Sequence, residues 1–454
     1  MTDALSHLPR AGDGAALKAG FSDLHPPLTQ RQAVIESQRC LYCYDAPCIE
    51  ACPSDIDIPR FIRQIAEDNI NGAAQTILEQ NILGGSCARV CPTEILCEQS
   101  CVRNHDAECQ PVLIGLLQRH AIDHMHVDDH PFRRAAATGK HIAVVGAGPA
   151  GLSCAHRLAM YGHRVTILEA EAKPGGLNEY GIAKYKLVDD YAQQEIAFLL
   201  EIGGIEIRHG QRLGDNLTLD AVQRDYDAVF LGLGLAASRQ LGLTGENAPG
   251  LMPATEYIKT LRQASDLGSL PLARRCVVIG AGNTAIDMAV QMARLGADEI
   301  TLVYRRGAEA MSATGHEQEI AKANGVRIVT WAQPEQVLID GDGRVSGMRF
   351  ARTETRDGTL ITTGETLDIP ADAVFKAIGQ AFADGGLSDD RASRIARDGG
   401  KIHVDDSFRT SLAGVYAGGD CVAPDQDLTV QAVQHGKLAA QAIHQDIMAQ
   451  QEVA

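Results

Sequence analysis

Positive charge, aromatic residues and long apolar runs are what this 454-residue sequence has least of. Lys and Arg number 41 against 58 Asp and Glu, a net charge of -17. A nucleic-acid backbone needs clustered cations, so that class of partner is excluded. No apolar run approaches the roughly 18 residues of a membrane-spanning helix, and none is expected. The start, Met1-Thr-Asp-Ala-Leu-Ser-His, has no basic region followed by an apolar core, so no signal peptide is expected either. These absences point to a cytoplasmic protein, in which thiols stay reduced and available to metal. Aromatics make up only 4%, whereas 45 glycines suit a nucleotide-binding α/β protein. The length allows about three domains with sizeable cores.

Cysteine is present, and it is placed: nine of the twelve lie within the first 110 residues. One row runs Cys40-Leu-Tyr-Cys43, Cys48 and Cys52-Pro53; a second runs Cys87, Cys91-Pro92, Cys97 and Cys101. Thiolates this closely spaced can surround a soft metal centre, and a Pro after the last Cys of a run is typical of iron–sulfur ligation. Structural zinc prefers two separated Cys-x-x-Cys knuckles; only one occurs here, while both rows carry Cys-Pro. A disulfide framework is disfavoured because nothing points to secretion. By spacing alone, Cys87 supplies the eighth thiolate.

Residues 1–39 read as an extended, partly helical lead-in, broken at Pro26-Pro27. Asp57-Ile-Pro59 predicts a helix start, a capping acid just ahead of a first-turn Pro. Phe61, Ile62 and Ile65 share a helical face; Ala73, Ile77 and Leu78 begin another; Pro111 opens a third through Ile114, Leu117 and Ala121. Residues 1–136 are therefore expected to form a small helical domain stapled by metal clusters. Its last helix runs into His120, His124, His126 and His130. The first two have the i, i+4 spacing of a metal pair, but no Glu lies between them in the metalloprotease pattern. Asp123, Asp128 and Asp129 surround them, and a solvated helix end is the reading.

A β-branched strand then runs straight into glycines and an Ala- and Leu-rich helix: His141-Ile-Ala-Val-Val-Gly146-Ala-Gly148-Pro149-Ala150-Gly151. Glycines are needed where the turn is tight and where backbone must approach a pyrophosphate resting on a helix N-terminus. The second strand, Arg164 to Glu169, ends in an acid about 20 residues on, placed for a ribose hydroxyl. A second copy reads Cys276-Val-Val-Ile-Gly280-Ala-Gly282-Asn283-Thr284-Ala285, with Ala in place of the third glycine. Its second strand ends in Arg305-Arg306 where the first copy has Glu169, which suits the 2′-phosphate of NADP. Further on, Val415-Tyr-Ala-Gly418-Gly419-Asp420 is a strand ending at Gly-Gly-Asp, followed by a helix from Thr429. Asp227 to Gly234 and its echo Ala373 to Gly379 look like paired crossovers. The expected architecture is α/β: a helical iron–sulfur domain, then two Rossmann-like nucleotide-binding domains. The FAD domain comes in two parts, residues 137–236 and 379–454, with an NAD(P) domain inserted at 237–378.

With these motifs in place, the chain resembles the electron-input part of dihydropyrimidine dehydrogenase, in particular the smaller subunit of the bacterial two-subunit form. The resemblance runs from about residue 25 to the C-terminus. It is carried by the Cys40/43/48/52-Pro row, Ser86-Cys87-Ala-Arg-Val-Cys91-Pro-Thr-Glu-Ile-Leu-Cys97, Val144 to Leu152, Gly175-Gly176-Leu177 and Ala417-Gly-Gly-Asp420. It implies two [4Fe–4S] clusters with interleaved ligands: Cys40, Cys43, Cys48 and Cys101 for one, Cys52, Cys91, Cys97 and a glutamine, matched by Gln118, for the other. It implies FAD contacts at Gly146, Gly148, Pro149, Ala150, Gly151, Glu169, Gly176, Leu177, Gly419, Asp420 and Thr429. Lys186 stands where the family has an arginine on the flavin side. NAD(P)H falls to Gly280, Gly282, Asn283, Thr284, Arg305, Arg306 and Gly379, with NADPH favoured by the arginines. The implied partner is an FMN- and iron–sulfur-containing large subunit that reduces uracil or thymine.

Two other functions compete. The glutamate synthase small subunit shares the layout, but usually has a shorter Cys-Pro-Ala-Pro-Cys spacing and an acid where Gln118 falls. A disulfide reductase of the thioredoxin reductase kind needs a redox Cys pair, whereas Cys154, Cys276 and Cys421 are isolated and read as small core residues. The cluster and nucleotide domains use the whole length, leaving no substrate barrel.

Overall fold

The Asp57 carboxylate accepts the Arg60 N–H at the head of the helix Ile58–Ala66, with Pro59 in its first turn, as the sequence predicts. Asn69 does the same for Ile70–Gln80, accepting from Gly72. These two helices and Ile114–Asp123 close on a shared core of Phe61, Ile62, Ile65, Ala73, Ile77, Ile114, Leu117 and Ala121, with Cys52 and Cys101 at its edge. The structure, a computed structural model, describes residues 3–107, 109–126, 129–383, 387, 392–423 and 426–453. No helix among them is long and apolar enough to cross a membrane.

The chain divides into two units. One contains His25–Glu179, Asp189–Ala236 and Phe382–Ala454. Its helical, cysteine-bearing part precedes a five-stranded parallel sheet in the order Val415–Ala417, Ala228–Leu231, His141–Val145, Arg164–Glu169, Ile205–His209. Four of these strands are buried on both faces and read as apolar runs, whereas the edge strand Ile205–His209 is partly exposed and alternates apolar with polar residues. Against this sheet pack the dinucleotide helix Pro149–Met160 and the C-terminal helix Thr429–Val453. A Cβ on Gly436 would lie 2.0 Å from the Ala150 carbonyl oxygen, so glycine alone lets these two helices approach so closely.

The other unit contains Met1–Leu24, Tyr180–Val188 and Ala237–Ala381. It has its own parallel sheet, ordered Leu251–Pro253, Ala373–Lys376, Arg275–Ile279, Glu299–Val303, Arg327–Val329. A three-stranded antiparallel sheet, Ala332–Ile339, Val345–Arg356 and Thr359–Pro370, packs in the same unit. The chain enters and leaves through Ala237–Ser238 and Gln380–Ala381, which pair antiparallel. Residues 3–24, expected as a lead-in to the cluster domain, belong here. Leu5 and Phe21 are buried with Ile258 and Leu267, and Ala11 N–H donates to the Leu270 carbonyl at 3.0 Å. The apolar side chains of that segment find cover on this unit.

Candidate cofactor sites

Four of the cysteines share one cavity. Cys40, Cys43, Cys48 and Cys101 line it together with Ile58, Ile62, Val112 and Ile114. Burial raises the Cys48 thiol to about 12, and the neighbouring Cys40, Cys101 and Cys43 add to the rise. Burial also raises Cys40, again with Cys43 and Cys101 contributing. The raised Cys40 and Cys48 thiols give up their protons most readily to a positive centre, and four cysteines around one apolar pocket suit iron–sulfur ligation. Among the described residues, no three His, Cys, Asp or Glu side chains close on a point as one ion's ligands do; what these thiols share is a cavity wall.

A second group gathers beside the first. The Cys91 thiol is pushed well up, chiefly by a hydrogen bond with Cys87, then by burial and by the nearby Cys87, Cys52 and Cys97. Burial, Glu98 and Cys52 raise Cys97, and Cys48 of the first group contributes too. Gln118, on Ile114–Asp123, is buried, and its Nε2 donates to the Gly84 carbonyl at 2.7 Å. That bond leaves Oε1 as the atom with which it would ligate iron. Cys87 lies on the helix Gly84–Val90, which leads into Cys91, and Gln118 is bonded to that helix's first residue.

The residues that the resemblance assigns to the flavin, around the loop Gly146–Gly151, lie close together as well. Gly151 packs so tightly that a Cβ would lie 2.0 Å from the Gly146 carbonyl oxygen, and one on Gly176 would lie 2.8 Å from the Gly148 Cα. Gly419 faces Ala150, and Thr429 Oγ1 donates to Asn178 Oδ1, the neighbour of Leu177, at 3.1 Å. Pro149 opens the helix whose N-terminus faces this loop. The Glu169 carboxylate ends its strand beside the loop and accepts the N–H of Ala147 at 2.6 Å and of Glu171 at 2.7 Å. Burial raises Asp420 to about 6, with Asp427 adding to the rise and Lys401 opposing it.

The segment Tyr180–Val188 belongs to the other unit, where Lys186 Nζ lies 2.7 Å from Asp287 and 2.6 Å from Glu317. Burial alone would lower its pKa; the two carboxylates more than offset that and hold it raised. Two buried anions therefore claim the cation that the family resemblance assigns to the flavin.

In that unit Gly282 caps Asn283–Leu295, on which Thr284 follows in the first turn and Ala285 is fully buried. A Cβ on Gly280 would lie 2.1 Å from the Ala377 carbonyl oxygen, and Gly379 takes a φ of +100°. Arg305 and Arg306 are exposed just past the strand Glu299–Val303. Among the described residues neither guanidinium has an ion pair, which leaves both available to a phosphate.

The histidine run splits. His120 is fully buried, its ring nitrogens 2.9 Å from Gln30 Oε1 and 3.4 Å from the Leu28 carbonyl, so it is core and not a solvated end. His124 and His126 are exposed; Asp128 lies outside the described residues.

Two charged residues carried no sequence signal. Glu195 on Tyr191–Leu200 accepts the N–H groups of Gly85 and Ser86, and Lys437 on Thr429–Val453 reaches Ser54 and Gln80. The loop after Cys52 is tied further to that C-terminal helix: Ser54 Oγ donates to the Val430 carbonyl at 3.4 Å, and Gln434 Nε2 to Asp55 Oδ2 at 3.1 Å.

Residues 140–436 match the family described as pyridine nucleotide-disulphide oxidoreductase, and residues 17–130 match dihydropyrimidine dehydrogenase domain II, 4Fe-4S cluster. The NAD-dependent dihydropyrimidine dehydrogenase subunit PreT of Escherichia coli K12 is 34% identical, over 93% of this chain and 96% of the relative. The glutamate synthase [NADPH] small chain of the same strain is 32% identical over 94% of each. Among solved structures, T. acidophilum thioredoxin reductase aligns with a TM-score of 0.53 at 23% identity, over 68% of this chain and 99% of that one. Mycobacterium tuberculosis FprA aligns with a TM-score of 0.57 at 18% identity, over 69% and 86%. These last two show the fold alone. The chain belongs to the pyridine nucleotide-disulphide oxidoreductases, among those that carry the 4Fe-4S domain of dihydropyrimidine dehydrogenase in front.

Proposed function

We propose that this chain is the electron-input subunit of an NAD(P)H-dependent dihydropyrimidine dehydrogenase. It takes reducing equivalents from NAD(P)H at FAD and passes them singly, through two [4Fe–4S] clusters, to an FMN-containing partner subunit that reduces uracil or thymine to the 5,6-dihydropyrimidine. The chemistry these groups supply when bound is hydride acceptance at the flavin, its conversion to single electrons, and one-electron carriage at the clusters.

The chain's own residues bind and orient. The loop from Gly146 to Gly151 and the N-terminus of Pro149–Met160 receive the FAD pyrophosphate, with Glu169 at the ribose and Gly176, Leu177, Gly419, Asp420 and Thr429 around it. Gly280, Gly282, Asn283, Thr284 and Gly379 receive the nicotinamide dinucleotide, with Arg305 and Arg306 at a 2′-phosphate. Cys40, Cys43, Cys48 and Cys101 hold one cluster. Cys52, Cys91 and Cys97 hold the other, completed by Gln118 or Cys87. In domain terms, the helical part up to residue 136 carries the clusters, 137–236 and 379–454 bind FAD, and 237–378 bind NAD(P). The compartment is the cytoplasm, which suits twelve free cysteines.

The observation that carries this reading is the join between the two chemistries: the loop after Cys52 is hydrogen-bonded to the helix that follows the Gly418-Gly419-Asp420 motif. The test is NAD(P)H- and uracil-dependent dihydrouracil formation. The chain alone should reduce an artificial dye and leave uracil untouched; adding the FMN-containing subunit should produce dihydrouracil. Uracil turnover by the chain alone would refute the division of labour.

The glutamate synthase small chain is the second reading, favoured by the relative that matches along 94% of this chain. Glutamate formation with the large glutamate synthase subunit, and no uracil reduction with the other partner, would establish it. The spacing of Cys91 to Cys97 and the presence of Gln118 speak for the first.

A further inference from the structure

Lys437 is 5% exposed, yet it is a cation. Its Nζ donates to the Ser54 carbonyl at 3.1 Å and to Gln80 Oε1 at 2.9 Å. Both acceptors are neutral. Asp55, whose Oδ2 accepts Gln434 Nε2, is the nearby carboxylate and favours the charged form from a distance, Arg157 opposes it, and among the described residues Lys437 has no direct ion pair. A buried charge without a counter-charge is costly, and proteins retain one where an anion compensates it. Ser54 is two residues from Cys52. A [4Fe–4S] cluster with its thiolates is net negative and becomes more so on reduction, so it adds counter-charge that Asp55 supplies only in part.

The helix that carries Lys437 makes this placement rigid. One side rests on the flavin helix, with the Val433 carbonyl accepting Ser153 Oγ at 2.7 Å and Gly436 pressed against the Ala150 backbone. Its other side holds the loop after Cys52 through Val430, Gln434 and Lys437 itself. A fixed cation favours whichever state of its neighbour carries more negative charge, and in a low-dielectric setting that preference is strong.

We propose that Lys437 is a positioning residue for the electron transfer: it fixes the Ser54 carbonyl behind Cys52 and, as a buried cation, raises the reduction potential of the cluster held by Cys52, Cys91 and Cys97. This rests on the reading that Cys52 ligates a cluster. Reduction of that cluster adds one electron, drawn through the flavin from NAD(P)H, with no bond made or broken. A merely structural tether would hold iron and flavin in place without moving a potential.

The experiment is a redox titration of the anaerobically purified full chain, followed by electron paramagnetic resonance, with iron and FAD counted. In Lys437→Gln the oxidised-to-reduced ratio of one cluster should shift at least tenfold toward oxidised at a given potential, a fall of about 59 mV for a one-electron couple. The other cluster should not move, and Lys437→Arg should keep the wild-type value. If Lys437→Gln does not fold, Gln80→Glu, which pairs a carboxylate with the same ammonium, should lower the same potential. An unmoved potential in a folded, iron-replete Lys437→Gln or Gln80→Glu variant overturns the proposal. Retention of both clusters by Cys52→Ser overturns instead the ligand reading beneath it.

Discussion

The carboxylate of Glu195 accepts the backbone N–H of Gly85 at 2.8 Å, joining the helix Tyr191–Leu200 to the head of the helix that leads into Cys91. It also accepts Ser86 N–H at 2.9 Å and pairs with the Ser86 hydroxyl. Burial raises its pKa from 4.5 to about 7, against these bonds and Arg89. A carboxyl raised on folding contributes stability that is fully present below its unfolded pKa and lost as pH rises through about 7, on the order of 3 kcal/mol in all. Thermal unfolding from pH 5 to 8.5 should show the wild type losing more stability than Glu195→Gln, whose amide keeps an acceptor for Gly85 and Ser86. Glu195→Ala, which orphans two buried N–H groups, should cost ~1–3 kcal/mol at any pH. Parallel pH profiles for wild type and Glu195→Gln would contradict the raised pKa.

Iron analysis separates the two thiol groups. The anaerobic chain should hold one FAD and about eight irons. Cys91→Ser and Cys101→Ser should each fall to about four, from different clusters with distinct resonance signatures, and keep their FAD. Stoichiometric zinc in the wild type would defeat the metal assignment.

Arg305→Ala with Arg306→Ala should raise the KM for NADPH at least tenfold and leave that for NADH nearly unchanged, since charge-assisted phosphate bonds contribute ~1.5–3 kcal/mol each. Stopped-flow flavin reduction with each nucleotide measures this. Equal losses would mean that the arginines do not read the 2′-phosphate.

Lys186→Met should destabilise the protein by ~3–5 kcal/mol, because Asp287 and Glu317 are left buried without their cation. The raised pKa of Lys186 places this contribution fully present at neutral pH, to be lost only as pH rises through the alkaline range. FAD content should not change. Flavin loss without a drop in melting temperature would return Lys186 to the flavin.

Tyr44 is fully exposed at 106% and Leu41 is 55% exposed, both in the loop that carries Cys43. Exposed aromatic and aliphatic side chains beside a cluster cavity suit partner docking. Tyr44→Asp should slow electron delivery to the FMN subunit at least tenfold while dye reduction by the chain alone is unaffected. Equal rates to both acceptors would move the docking surface elsewhere.

Much of this molecule was legible because its signals are local. A β-branched run into glycines and then an Ala-rich helix reports the strand, turn and helix at Gly146 and again at Gly280. Asp57 ahead of Pro59 reports a helix start, and close cysteine spacing reports a metal-binding part. What the tertiary structure decided are pairings between distant residues: Glu195 with Gly85 across 110 positions, Lys186 with Glu317 across 131, Lys437 with Ser54 across 383. The entropy of closing such loops grows only logarithmically with length, so sequence separation scarcely distinguishes one partner from another. Periodicity marks which face of a helix is buried, but not what covers it. His120 became core and the segment from residue 3 to 24 joined the second unit for that reason. Local chemistry named the cofactors; burial, which only the fold supplies, decided where each of these charges found its counterpart.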